Sequence, residues 1–486
     1  MPPFSQYKEP PTRGTMILNF QKNGGDYLLR YSFRPQPFFF VHKKIYSKNA
    51  LLLNKLFGFD SHLLFLGVDI VKRLIGLLFS IILLVSCFTS SAFAVVPADN
   101  GGAKDLRVLI EPKNSQNKAD LQKAYGVRWD FGKKGFTTNV NESQFEALKN
   151  NKNLEVSLVD KVYLEKVNAE ATRTATPSDQ TPWGMQAIYA DPNLSATSGG
   201  DNIRVAVLDT GAYTAHVDLT QNAEQCKDFS QNRSPLINGA CEDKNGHGTH
   251  VAGTVLANGG ADGQGIYGVA PNAKLWAYKV LGNSGFGYSD DIANAIMHAA
   301  DEGNRLGVNV VISMSLGSST KSDLIADAVT YAVNNGALVV AAAGNDGPNP
   351  GTIGYPGALA NAVAVAALEN VQENGNFRVA DFSSRGVSGG AGDYVIEEGD
   401  VEVSAPGRAI ESTWKDGSYY TISGTSMATP HISGLAAKIW AENPSLSNVQ
   451  LRSELQNRAR ANDVNGGLHA ASGDDIASGF GFPLVQ

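Results

Sequence analysis

The chain has 486 residues, more than one ordinary domain holds, so at least one accessory segment is expected beside a main domain. Its net charge of −7 conceals a divide: residues 1–67 are basic and rich in Phe and Tyr, whereas residues 170–486 carry 17 Lys and Arg against 33 Asp and Glu. An acidic body repels phosphate backbones and anionic lipid, which argues against nucleic acid and a membrane surface as partners and favours cations such as calcium.

Lys72 and Arg73 precede the apolar run Leu74 to Val85, and Ala92-Phe93-Ala94 offers small residues to signal peptidase. Residues 68–94 therefore read as a signal peptide cut after Ala94, and the protein is expected to be secreted. The run is shorter than the ~20 residues of a membrane-spanning helix, which argues against an anchor. Leu84-Val85-Ser86-Cys87 resembles a bacterial lipobox, an alternative that would leave a lipid on Cys87. Because export machinery reads N-termini, residues 1–67 are expected to be either an unusual extension or untranslated sequence, with the protein starting near Val68 from a non-Met codon. Once Cys87 is set aside, Cys226 and Cys241 form an even pair in an exported protein, where disulfides persist. Closing that loop is worth ~3 kcal/mol through the unfolded state, and two free thiols are the alternative.

Residues 95–170 form a second segment with its core at 105–167. Strand-like runs (Leu106 to Ile110, Val156 to Val159, Val162 to Val167) flank helix-like ones (Ala119 to Tyr125, Glu142 to Lys149), which predicts a compact α+β unit. Asn168 to Thr181 has no apolar period and reads as a cleavable linker. Through the main domain, residues 171–486, apolar runs alternate with amphipathic helices. Ile203 to Leu208, Leu275 to Val280, Val308 to Ile312, Ala337 to Ala342 and Ala362 to Ala367 are continuous enough for strands buried on both faces. Ile292, Ala295, Ile296, Ala299 and Ala300 recur at helical spacing, and Gly303 is expected to end that helix. The pattern predicts an α/β fold: a doubly wound, mainly parallel sheet with helices on both faces.

Three motifs carry chemistry. Val205-Ala206-Val207-Leu208-Asp209-Thr210-Gly211 is a buried strand ending in an acid, where open α/β sheets hold their sites. By itself this Asp could cap a turn. Asn245-Gly246-His247-Gly248-Thr249-His250 sets His247 at a helix start. His247 and His250 are three apart, so metal binding is an alternative, although no Glu lies between them and no third ligand is evident. Gly424-Thr425-Ser426-Met427-Ala428-Thr429-Pro430-His431 leads into Ile432, Leu435, Ala436, Ile439 and Trp440, which predicts a helix burying one face with Ser426 at its positive end. Read alone, Ser426 could be an N-cap.

Together the motifs, in the order Asp, His, Ser, resemble the subtilase family over residues 177–486. The resemblance implies a serine endopeptidase with Ser426 as nucleophile, His247 as general base and Asp209 orienting the imidazole. It also implies an oxyanion hole made by the Ser426 N–H and the Asn345 side chain, within Ala341-Ala342-Ala343-Gly344-Asn345-Asp346-Gly347. Substrate is expected as an extended strand between Ser315-Leu316-Gly317 and Gly285-Phe286-Gly287. Leu316 and Ile292 would line the pocket for the fourth residue before the scissile bond. Gly317, Ala342 to Gly344 and Gly354-Tyr355 would line a roomy pocket for a large apolar residue just before that bond, with Asp346 at its rim. Structural calcium is implied, with Asp179, Asp218 and Asp262 at the matching positions. The acidic insertion Asp393 to Glu402 reads as a solvated loop, with a further ion site as the alternative. The unit at 105–167 resembles the family's inhibitory propeptide, cut between Asn168 and Ala175. The mature protein is expected to be a monomer acting on proteins and peptides. A metal-dependent hydrolase using His247 and His250, or an inactive binding module, are the other readings.

Overall fold

The computed structural model describes residues 19–23, 26–30, 105–114, 117–164, 172–232, 234–261, 263–389 and 391–486. The expectations for the signal peptide, Cys87, Asp262 and residues 165–171 lie outside the described residues. Two compact units divide at Ala94. In the first, β1 (Asn19–Asn23) and β2 (Asp26–Arg30) form an antiparallel hairpin pairing Asn19 with Arg30.

The second unit begins with the α+β segment expected at 105–167. It contains β3 (Leu106–Pro112), α1 (Lys118–Tyr125), β4 (Trp129–Asp130), β5 (Phe136–Val140), α2 (Glu142–Lys149) and β6 (Leu154–Leu158). Its four-stranded antiparallel sheet runs β4-β5-β3-β6. Val108, Ile110, Leu121, Phe136, Val140, Leu148 and Leu154 close a core of its own. Asn141 and Gln144 start α2 with a reciprocal capping box, satisfying backbone donors that a helix start otherwise leaves open. Next come β7 (Lys161–Tyr163) and β8 (Thr172–Thr174). Within the stretch read as a linker, β8 is a short strand paired with β20 (Tyr419–Ile422), which in turn pairs with β19 (Ile410–Thr413). Its residues, Thr-Arg-Thr, contribute main-chain bonds and bury little, so no apolar period announces them.

The central sheet is built from β9 (Arg204–Asp209), β10 (Ala223–Asp228), β11 (Ile237–Asn238), β12 (Lys274–Lys279), β14 (Val310–Met314), β15 (Leu338–Ala342), β16 (Val363–Glu373), β17 (Asn376–Val379) and β18 (Val403–Pro406); the short β13 (Phe286–Tyr288) lies outside it. Their order is β11-β10-β12-β9-β14-β15-β16-β17, with β18 also on β16; all pairings are parallel except β10 with β11 and β16 with β17. Alternate residues of β9 enter different cores: Val205 and Val207 on one face, Ala206 and Leu208 on the other. The first face is covered by α4 (His247–Leu256), α7 (Thr425–Glu442) and α8 (Asn448–Ala461), the second by α5 (Ser289–Leu306) and α6 (Asp323–Asn334); α3 (Trp183–Ile188) precedes β9. This is the doubly wound arrangement expected from the apolar runs.

Two helix readings change. Gly303 does not end α5, which runs to Leu306 and closes at Gly307 with φ 65°. Gly303 faces the sheet instead, where an added Cβ would lie 2.6 Å from Val310 Cγ2. α7 does not bury one face only: Thr425 through Trp440 are all buried, so it is a central helix flanked on every side.

Candidate active site

Asp209 is the last residue of β9, and its carboxylate is fully buried. His247 opens α4, and its Nδ1 lies 2.9 Å from both Asp209 oxygens. Gly248 permits this approach, because a Cβ there would fall 2.1 Å from the Gly211 carbonyl oxygen and 3.0 Å from Asp209 Cβ. A further acid, which the motif reading missed, organises the junction. Asp243 Oδ1 accepts from Thr210 Oγ1 at 2.9 Å, Asn245 N at 2.9 Å and Gly246 N at 2.8 Å. Its Oδ2 accepts from Thr249 N at 2.9 Å and Thr249 Oγ1 at 2.6 Å, capping α4 from outside the helix. The available signal was an Asp three residues before a glycine at a helix start, a turn and cap pattern. Thr210, held by Asp243, in turn accepts from Gly248 N at 3.0 Å.

Beneath this junction Lys279 is buried, donating to the Thr210 carbonyl and to Asn283 Oδ1. Burial lowers its pKa, and Asp243, Asp228 and Asp209 pull it back up. The cation thus faces the carboxylates that hold the histidine helix.

Ser426 stands in the first turn of α7, which packs against α4. Pro430 has no N–H to return to the carbonyl four residues back, and the Ser426 carbonyl instead accepts from Ser315 Oγ at 2.8 Å. Ser426 Oγ donates to the Ser315 carbonyl at 3.3 Å. Asn345 follows β15, and its Oδ1 accepts from Thr425 N at 2.9 Å and Thr425 Oγ1 at 3.1 Å. That commitment sets the amide orientation and puts Nδ2 on the Gly424 side, 3.3 Å from where a Cβ of Gly424 would be. Asn345 is 8% exposed, so this donor sits in a sheltered, low-dielectric position beside Ser426.

His250 is not brought to His247 as a metal pair. It is fully buried, and its Nε2 lies 3.0 Å from the carbonyls of Ile410 and Tyr420. Burial pushes its pKa down to about 3, so it is a neutral structural histidine.

The two expected substrate edges enclose an occupant from the same chain. β7 pairs antiparallel with β13, matching Val162 to Gly287 and Tyr163 to Phe286. On its other side Tyr163 N donates to the Gly317 carbonyl at 3.1 Å, and Gly317 N to the Tyr163 carbonyl at 3.0 Å. Leu164 N reaches the Gly285 carbonyl at 2.8 Å. Val162 is buried in one cluster with Ile292 and Leu316. A cleft of about 620 Å³ adjoins Leu164, lined by Gly317, Gly344, Asp346 and Gly354 together with Ser318 and Ile353. Ala342 and Tyr355 are not in its wall: Ala342 is buried in β15, and Tyr355 turns its hydroxyl to Glu398.

Among the described residues no group of three or more His, Cys, Asp or Glu is placed to hold a metal. Asp218 is buried, and its Oδ2 accepts from Tyr419 Oη at 2.8 Å and Ile266 N at 3.1 Å. Only glycine fits at 265, where a Cβ would fall 1.7 Å from Asp218 Oδ1. The loop before Gly268 therefore closes on this carboxylate, and its Gly263 and Gly265 carbonyls accept from the Gln180 side chain. These are all-oxygen donors of the kind calcium takes. Asp179 is exposed and bonded locally, to Thr181 N at 3.0 Å and Gln186 Nε2 at 3.1 Å. The acidic stretch Asp393 to Glu402 is not wholly solvated: Asp400 and Glu402 are buried, and Glu402 pairs with Arg452 and Gln456. Cys226 and Cys241 are joined by a disulfide, as expected.

Residues 200–481 match the family model of the subtilases. The chain is 58% identical over 388 residues to a subtilisin of Bacillus sp. (strain TA39), covering 79% of this chain and 92% of that one. It is 40% identical over 297 residues to an alkaline protease of Alkalihalobacillus alcalophilus, covering 61% of this chain and 68% of that one. The solved structure of sphericase superposes with a TM-score of 0.63 at 65% identity, covering 64% of this chain and 99% of sphericase. The S41 psychrophilic protease does so with a TM-score of 0.63 at 64% identity and the same coverage. With the acid, the histidine and the serine on their expected elements, the chain belongs to the subtilase family and is a serine endopeptidase.

Proposed function

We propose that Ser426 attacks the scissile carbonyl, that His247 takes its proton and returns it to the leaving amine, and that Asp209 fixes the imidazole tautomer and stabilises the imidazolium. A serine hydroxyl is a poor nucleophile at neutral pH, so the base is indispensable. The Ser426 N–H and Asn345 Nδ2 receive the oxyanion, whose charge develops in a site where few waters compete. The observation that carries this assignment is the contact of His247 Nδ1 with both Asp209 oxygens, which leaves Nε2 as the ring's basic face.

Substrate binds as a strand between Gly285-Phe286-Gly287 and Ser315-Leu316-Gly317, with Ile292 and Leu316 receiving the fourth residue before the cut. The seat of β7 on these edges supports that reading. The 620 Å³ cleft takes a large apolar residue just before the cut, and the exposed Asp346 on its rim also admits Lys. Profiling Lys against Phe at that position, in wild type and Asp346→Ser, gives a lower Lys preference in the variant; an unchanged ratio refutes the role of Asp346.

Residues 95–170 act as an inhibitory propeptide, preceded by a signal peptide at 68–94 that sends the enzyme out of the cell; the mature enzyme is residues 171–486, starting after a cut between Asn168 and Ala175. Calcium, held by Asp218 with Asp179 and Asp262, would cross-link the N-terminal segment, the loop before Gly268 and the Asp218 turn. A sulfonyl fluoride is expected to abolish casein hydrolysis at once, while a chelator acts slowly through lost stability. Instant inhibition by the chelator, or hydrolysis by Ser426→Ala above background, would refute the assignment.

A further inference from the structure

Four donors of the 105–164 unit converge on the first turn of α5. Arg107 Nη1 donates to Asp291 Oδ2 at 2.7 Å and to Asp290 Oδ1 at 3.3 Å. Arg128 Nε and Trp129 Nε1 both reach Asp291 Oδ1 at 2.7 Å, and Thr137 Oγ1 reaches Asp290 Oδ2 at 2.8 Å. Further guanidinium nitrogens meet acceptors of the protease domain: Asn232 Oδ1 at 2.9 Å for Arg107 Nη2, and the carbonyls of Gln231 at 2.8 Å and Phe229 at 2.9 Å for Arg128 Nη1 and Nη2. The Tyr288 ring lies 3.9 Å from the Arg107 guanidinium carbon. In these side-chain contacts the 105–164 unit donates and the protease domain accepts, while in the main chain Ser289 N donates to the Asp160 carbonyl at 2.9 Å.

Burial sharpens the recognition. Asp290 and Asp291 are 0% and 1% exposed, and Arg107 and Arg128 are 5% and 8% exposed. Two adjacent buried carboxylates repel each other, and burial with Asp291 beside it pushes the Asp290 carboxyl up to about 6. Removing one member of such a desolvated set leaves the others uncompensated, so it should weigh far more than a rim contact. By contrast, Tyr163 and Leu164 hold the cleft through main-chain bonds that any extended chain can make.

We propose that the first turn of α5, with Tyr288 and the Phe229–Asn232 segment, is a guanidinium-binding exosite outside the catalytic cleft. Its occupant is the pair Arg107 and Arg128, and it keeps the 105–164 unit bound to the protease domain after the chain is cut. The inference rests on reading that unit as the propeptide. It adds the chemistry that selects this occupant over other extended chains. Arg rather than Lys is required, because only a planar fork can serve two carboxylates and a carbonyl at once.

The test follows the full chain as it is secreted. Cutting is read on denaturing gels, and the latent period between cutting and the appearance of peptidase activity is read with a chromogenic peptide. Asp291→Asn and Arg128→Met are each expected to shorten the latent period by about tenfold or more. The double variant should gain little further, since both changes break one network. A second measurement needs no variant to fold: argininamide added to the cut wild-type complex shortens the latent period with dose, and lysinamide at the same concentration does not. Latent periods unchanged in both variants, or equal effects of the two amides, overturn the exosite while leaving the propeptide reading intact. Activity gained without any cut overturns the propeptide reading and the exosite with it.

Discussion

Asp243→Asn removes one carboxylate oxygen from a junction that five donors share. The amide oxygen can keep Thr210, Asn245 and Gly246 on the Oδ1 side, but its NH₂ then faces the N–H of Thr249, which is a donor too, and the Thr249 hydroxyl, which can no longer donate to it. Two bonds to a buried, charged acceptor are lost, and one backbone N–H at the start of α4 is left without its cap. At about 1.5 kcal/mol for each bond the loss is about 3 kcal/mol, or roughly 5 °C in Tm for a domain of this size. The same change loosens the turn that sets His247 against Asp209, and about 1.4 kcal/mol of lost transition-state alignment corresponds to roughly tenfold in kcat. Thermal unfolding is to be measured at one scan rate on Ser426→Ala background protein, which does not digest itself, and kcat on a chromogenic peptide in the active background. A Tm within 1 °C of the parent together with an unchanged kcat would refute the role given to Asp243.

Further outcomes follow from the same geometry. Asn345→Ala, which removes the side-chain donor beside Ser426, is expected to lower kcat by about 10²–10³ with little change in KM; a change confined to KM would count against an oxyanion role. His250 and His431 are held neutral by burial, with pKa values pushed down to about 3 and about 4, below the ordinary value near 6.5. The unfolded chain therefore binds more protons, and stability falls as pH drops below about 6.5, by up to about 1.4 kcal/mol per pH unit for each histidine, until the folded-state pKa is reached. His250→Gln should flatten the Tm profile between pH 6.5 and 4; an unchanged slope would contradict the buried-neutral assignment. Replacing Cys226 and Cys241 with Ser opens a link across 15 positions and should reduce stability by about 3 kcal/mol while peptidase activity at 25 °C persists.

The parts of the molecule that could be read from sequence are those where burial is complete. β9, β12, β14 and β15 are apolar runs because both faces of the sheet are covered, and their reading moved by no more than a residue or two at the ends. β10 escaped notice because its sequence, Ala-Glu-Gln-Cys-Lys-Asp, is polar: among the described residues only the two-residue β11 lies beyond it. Its Glu224 and Gln225 serve instead as acceptors for Trp276 Nε1 and Tyr278 Oη on the neighbouring strand. β8 was hidden for a related reason, since a short strand held by main-chain bonds needs no apolar side chains. Gly303 misled because a glycine chosen for close packing against Val310 looks in sequence like a helix stop. The acid, the histidine and the serine were legible through the distinct glycine-rich or small-residue neighbours each needs. Asp243 was not, because its role is to bond backbone groups that only the folded loop gathers. The arginine contacts to Asp290 and Asp291 were equally invisible, joining residues more than 150 positions apart.

The central claim is that Ser426 is the nucleophile and that His247 activates it. The most direct measurement is reaction of the mature enzyme with a sulfonyl fluoride across pH, with the labelled peptide located by mass spectrometry. The account predicts one label per chain, on Ser426, at a rate that rises as a single imidazole loses its proton and collapses in His247→Ala. A label on another residue, or labelling of Ser426 at an undiminished rate without His247, would contradict it.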